Sequence, residues 1–297
     1  MNEQNIFEKG VLVNLEIRTW GTTKKIKNPK YDKNWFNVGK ILMKHKLIKE
    51  IEKVRNATRT YLYSISFPFP VRGVEFIPYT CTKEVGETLE NFKNKFNGLV
   101  EQLSDPNLIQ ELKKDAKKAL EEDYDERDYQ IDVKSKYGFG WEFLVVAPPD
   151  HGFKQIDPDL YEQEKRKFLE QMNEAREMII GALREEFREL VEHIVERTTN
   201  PRAIIRDSVV EKFDEFFSSF QKRNCFNDQE LEELVEKSKK ILKGTKGEDL
   251  RTNNQIRETT AILFDSIKQT LDENVSTKTR HVVLPKDRRN GKCPNIV

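Results

Sequence analysis

Along the first eighteen residues, Val11, Val13, Leu15 and Ile17 alternate with Leu12, Asn14, Glu16 and Arg18. A period of two predicts a strand with one mostly polar face. Trp20-Gly21 ends it, and the period then changes. Ile41, Leu42, His45, Ile48, Ile51 and Val54 recur mostly at steps of three and four, which predicts a helix over 38–61. Phe67-Pro68-Phe69-Pro70 breaks any helix, because proline lacks a donor and restricts the residue before it. Gly73-Val74-Glu75-Phe76-Ile77-Pro78 reads as a short strand. A second helix is expected from about 83 to 103, with Val85, Leu89, Phe92, Phe96, Leu99, Val100 and Leu103 as its apolar set. Asp105-Pro106 has the form of an N-cap followed by proline in the first helical turn, opening a third helix over 107–123. An aromatic strand, 141–147, follows, and Pro148-Pro149-Asp150-His151-Gly152 reads as a turn or linker.

From there the pattern is helical. Asp157-Pro158 opens the longest helix, expected to reach Thr198, with Phe168, Met172, Ala175, Ile179, Leu183, Phe187, Leu190 and Ile194 on or near one stripe. Such a stripe must be buried against another helix or another subunit, so self-association through the long helices is expected. Three further helices follow: one after Asn200-Pro201 to Arg223, one from Asn227-Asp228 to Leu242, and one over 254–273. Gly244 and Gly247 make a turn. These patterns predict an α+β fold: a small mixed α/β domain, 1–149, joined to an elongated helical domain, 150–297, of helical arms or a bundle.

Composition sharpens this picture. Hydrophobic residues are 36% and charged residues 35%, with a mean hydropathy of −0.75, so a membrane protein is not expected. Eighteen Phe and three Trp supply enough large apolar groups for a core. The net charge of +1 hides an asymmetry. Residues 1–80 hold 15 Lys/Arg against 7 Asp/Glu, or +8; residues 157–200 hold 7 against 12, or −5; residues 278–297 hold 6 against 1, or +5. Opposed patches favour encounter and register between partners, and a basic segment can also meet nucleic acid. Cys81, Cys225 and Cys293 form no CxxC and no metal-ligand spacing, so a reducing cytoplasm is the simplest setting. Cys293, in a polar tail, is open to bridging subunits on oxidation. Residues 1–10 lack the features of a signal peptide.

Catalytic chemistry has little to stand on. The four histidines, His45, His151, His193 and His281, stand alone in sequence, with no nucleophile signature near them. No zinc motif and no phosphate-binding loop is present; Gly244-Thr245-Lys246-Gly247 is too short for one. The acidic run at Asp123, Asp125, Asp128 and Asp132 could hold magnesium for nuclease chemistry, but it is interleaved with Tyr124, Arg127 and Tyr129, and a solvated acidic loop is the simpler reading. Trp20, Lys24, Lys25, Lys27, Lys30, Tyr31, Lys33 and Trp35 interleave cations with aromatics as a nucleic-acid site would. The chain is therefore read as a non-enzymatic protein without cofactor or metal. Its expected contact residues are the basic loop, with Lys24, Lys25, Lys27 and Lys30, and the helical stripe of Phe213, Phe216, Phe217 and Phe220. Trp141, which shares its parity with Phe139 and Phe143, is expected to be buried in the core of the first domain.

Three local patterns carry a family resemblance. They are Ile17-Arg18-Thr19-Trp20-Gly21-Thr22-Thr23-Lys24-Lys25-Ile26, then Gly73-Val74-Glu75-Phe76-Ile77-Pro78, then Gly138-Phe139-Gly140-Trp141-Glu142-Phe143. In this order, ahead of a helical second half, they resemble a family of unknown function found in phage and plasmid genomes, often encoded near a MoxR-type AAA+ ATPase. The resemblance covers most of the first 150 residues and, loosely, the helices after them. In size and build the chain is also similar to phage proteins of the anti-Gabija type, which self-assemble around a host complex through helical arms. The resemblance implies a phage-encoded, homo-oligomeric inhibitor of a host antiviral defence complex, acting in the host cytoplasm. It also leaves open an adaptor or regulatory partner of an AAA+ ATPase, or a nucleic-acid-binding protein of phage replication. No catalytic residues transfer with it.

Overall fold

A computed structural model describes residues 6–26, 39–130, 132–148 and 150–276. The fold is α+β and mostly helical, with a four-stranded antiparallel sheet in the first half and a long helical region after it. Strands β1 (Gly10–Arg18), β2 (Thr23–Lys25) and β3 (Gly39–Ile41) precede helix α1 (Lys46–Ile65). Strands β4 (Phe67–Pro68) and β5 (Val74–Pro78) then lead into α2 (Tyr79–Leu103) and α3 (Pro106–Leu120). After three short 3-10 turns comes β6 (Gly138–Leu144). The remainder is α4 (His151–Ile156), α5 (Pro158–Thr199), α6 (Ser208–Arg223), α7 (Gln229–Leu242), α8 (Gly247–Thr252) and α9 (Asn254–Ser276).

The sheet has the order β4-β5-β1-β6, and β2 and β3 form a separate two-stranded ribbon. The expected helix over 38–61 starts later, at Lys46, because residues 39–41 are taken by the ribbon. The turn or linker expected over 148–152 gives way at His151 to α4.

Two compact units divide the described residues, and neither is continuous in sequence. One holds 6–13, 65–83 and 144–276; the other holds 14–64 and 84–143. The boundary passes through β1.

The first unit is organised around α5. This helix has 42 residues and is about 63 Å long at 1.5 Å per residue. Asp157 caps it by accepting from the Leu160 amide at 2.9 Å. At the other end, Arg257 from α9 donates to the carbonyls of Arg197, Thr198 and Asn200, the last-turn acceptors that a helix leaves unpaired. Met172, Ala175, Ile179, Leu183, Phe187, Val191 and Ile194 are all buried. Their cover comes from the chain itself: α9 lies along α5, with α6 beside it. Phe187 stacks on Phe216 at 5.4 Å, and Phe213 meets Phe264 edge to face at 5.3 Å. The stripe that suggested self-association is thus satisfied within one chain, and it gives no ground for an assembly.

Charged clamps register the helices. Arg184 is held by Asp228 at 2.5 Å and Glu230 at 2.9 Å, and the hydrogen bonds to Asp228 raise its pKa further. Asp228 also caps α7 through the Leu231 amide. The Arg223 guanidinium, only 4% exposed, pairs with Glu186 at 2.6 Å and lies 5.1 Å over the Phe67 ring. Cys81 is buried and Cys225 half-buried in this unit, and burial pushes the Cys225 thiol up to about 11.

The second unit has its own core: Ile17, Leu42, Leu47, Ile51, Val54, Phe96, Val100, Leu103 and Leu112, with Tyr129 and Tyr137. Asp105 caps α3 as its sequence predicts, accepting from the Asn107 and Leu108 amides at 2.8 and 3.2 Å.

Two substitutions test this packing. Phe213→Ala, at a position with no exposed area, is expected to destabilise the first unit by about 3–5 kcal/mol. Gly10→Ala is expected to be nearly as harmful, because its Cβ would stand 2.3 Å from the Ile77 carbonyl and 2.4 Å from the Phe76 ring. Thermal melts read both. An unchanged melting temperature for Phe213→Ala would contradict the core as described.

Candidate interaction surface

Lys24 and Lys25 lie on β2, and its register with β3 sets Lys24 directly opposite Lys40. Like charges opposite each other weaken a ribbon. Here Asp128 resolves the conflict by accepting from both ammonium groups: Lys24 on one carboxylate oxygen, and Lys40 on the other at 2.8 Å. Lys40 also donates to the Asp123 carbonyl at 2.5 Å. The Asp128 side chain is 2% exposed and that of Lys40 9%, whereas Lys24 is half exposed. Burial by itself would raise the Asp128 pKa, but the hydrogen bonds and charges of Lys24 and Lys40 outweigh it and hold the carboxyl below its ordinary value.

A 3-10 turn, Glu126–Tyr129, aims Asp128 at the ribbon. Asp125 caps that turn, accepting from the Arg127 amide at 3.1 Å and from its guanidinium at 2.9 and 2.8 Å. Tyr124 and Tyr129 stack beneath at 5.0 Å. Two carboxylates of the acidic run, Asp125 and Asp128, are thus already engaged with cations, while Asp132 accepts from the Lys134 amide at 3.1 Å. Among the described residues no group of three or more metal-type ligands comes together.

The expected contact residues separate into three kinds. Lys24 is bound to Asp128, while Lys25 is exposed. Lys27 and Lys30, with Tyr31, Lys33 and Trp35, lie outside the described residues, as does Cys293. The aromatic stripe needs correction. Phe213, Phe216 and Phe220 are at most 3% exposed and belong to the first unit's core, because α6 turns that face toward α5 and α9. Phe217 is half-buried, packed on Phe213 at 5.7 Å with Lys239 over its ring at 5.7 Å. A cleft of about 440 Å³ opens beside it, lined by Asp214, Phe217, Lys239, Lys243 and Lys246 among others.

The expectation for the aromatic strand also changes. Trp141 is only half-buried and Phe143 is 40% exposed. Phe139 alone reaches the second unit's core, 5.5 Å from Phe96. Trp141 meets Phe139 edge to face at 6.3 Å, and Lys93 lies 5.2 Å over its indole. On the other parity, Glu142 accepts from Asn14 of β1 at 3.3 Å. Sequence reasoning missed Lys40, Lys93 and the bridging role of Asp128; a three-residue ribbon strand leaves no periodicity to find them by.

Asp128→Ala strands the buried Lys40 and is expected to cost about 3 kcal/mol, at the lower end for breaking a buried pair because Lys24 can turn to water. Asp128→Asn gives a pH test. A carboxyl with a lowered folded pKa stabilises the fold above its unfolded pKa of about 3.9, and that contribution is lost as pH falls through the folded value. The wild type should therefore exceed the variant in stability at neutral pH, and the gap should close in acid. A gap that stays constant down to acid pH would contradict the assignment.

No helix among the described residues is long and apolar enough to cross a membrane. No protein-family model, no curated protein and no solved structure matches the chain.

Proposed function

We propose that this chain works by contact, as a binding protein for a protein partner, and that the partner is a host antiviral defence complex which it inhibits. The observation that carries the reading is the part-exposed aromatic row Phe139, Trp141 and Phe143 on β6. Aromatic side chains at a surface give large contact area at low ordering cost, and tryptophan is enriched at binding hot spots. Two of the four carboxylates that a nuclease reading would use are engaged with cations: Asp125 with Arg127, and Asp128 with Lys24 and Lys40. That same engagement takes Lys24 from the basic face a nucleic acid would use. The defence complex as partner rests on the resemblance to anti-Gabija-type phage proteins.

Co-expression with such a complex, followed by size exclusion and plaque counting, tests the proposal. Stoichiometric co-elution and restored phage plating are expected. Lys25→Glu, at an exposed ribbon position, should weaken capture without moving the melting temperature. Magnesium-dependent cleavage of DNA or RNA that Asp125→Ala abolishes would overturn it.

A further inference from the structure

The outer strand of the four-stranded sheet is β6: β1 lies on one side of it, and no strand pairs with the other side among the described residues. Every residue of 138–144 is at least partly exposed. An edge of this kind offers a row of backbone donors and acceptors, and proteins usually protect it with lysine, proline or a bulge. Gly138-Phe139-Gly140-Trp141-Glu142-Phe143 contains no lysine and no proline. Its one charge, Glu142, bonds back to Asn14 on β1.

The strand is self-complementary about Trp141. If a second copy pairs with it antiparallel, with the twofold axis at Trp141, each Phe139 stands opposite Phe143 of the other chain and the two Trp141 side chains stand opposite each other. Directly opposed aromatic residues are among the favourable cross-strand pairs. On the other face Glu142 stands opposite Gly140, so no like charges meet. Gly140 has open space where a side chain would project. A twofold axis at Glu142 would set like charges opposite each other, and one at Gly140 would leave Phe143 without a partner inside the strand, so the axis at Trp141 is the one that pairs all three aromatics. The row is also built in advance: Phe139 is fixed against Phe96, and Trp141 against Phe139 and Lys93, which lowers the ordering cost of association.

We infer that β6 is the self-association surface of this chain, pairing antiparallel with β6 of a second copy in the register centred on Trp141. This deepens the contact reading by giving part of the aromatic row a definite occupant. It moves self-association from the α5 stripe to the sheet edge.

Sedimentation velocity of the full chain, from low to high micromolar concentration, tests it with a pair of variants at one position. Gly140→Glu sets a carboxylate opposite Glu142 twice across the twofold axis, whereas Gly140→Lys sets an ammonium there. Both substitutions add a long side chain at the same open position, and thermal melts separate any effect on the monomer from the effect on pairing. The expected result is a wild-type dimer, a Gly140→Glu dimer weakened by about tenfold or more, and a Gly140→Lys dimer at least as tight as wild type; tenfold corresponds to about 1.4 kcal/mol, within reach of two opposed pairs. A wild type that is monomeric throughout overturns the inference. So does an equal effect of both variants: no change in either would place the contact on a different surface, and equal weakening would place it in a different register. Co-elution with a defence complex is scored separately: its failure removes the proposed function and leaves the dimer result standing.

Discussion

Everything in the larger unit answers to one demand: the apolar stripe of a 42-residue helix has to be kept from water. Burying a large apolar side chain stabilises a fold by about 1.5–3 kcal/mol, and α5 carries such a stripe from Met172 to Ile194. Helix α9 covers much of it, α6 adds Phe213, Phe216 and Phe220, and Arg223 and Arg257 fix the alignment through a half-buried ion pair and the terminal carbonyls. Because the chain meets this demand alone, the stripe cannot also be an assembly surface.

The part-exposed aromatic row Phe139, Trp141 and Phe143 lies in the smaller unit. There the ribbon β2–β3 brings two lysines face to face, and the buried Asp128 makes the arrangement tolerable. The cations that sequence reading assigned to a partner are in part structural. The aromatic strand assigned to the core is in part surface.

Helix positions and starts were legible where local chemistry decides them. Asp105-Pro106, Asp157-Pro158 and Asp228 cap α3, α5 and α7 as read, because an N-cap needs only its own next few residues. The α+β class followed from the change of period after β1. Three things were out of reach. A three-residue strand such as β3 leaves no period, so Lys40 was read into a helix. Periodicity finds the apolar face of α6 but cannot say whether the chain or a partner covers it, which is why Phe213, Phe216 and Phe220 were placed at an interface. The sequence neighbours of Trp141 likewise do not tell an edge strand from a central one, since that depends on residues as distant as β1. The discontinuous division of the units through β1 has the same origin in long-range pairing.

The central claim is that α5 is satisfied within one chain while β6 is not. Native-state hydrogen exchange on the full chain, read at two protein concentrations, addresses both halves at once. The account predicts slow exchange over 172–194 that does not depend on concentration, and exchange over 138–143 that slows as concentration rises. Protection of α5 that grows with concentration, with β6 unchanged, would mean that another copy covers the long helix and would contradict it.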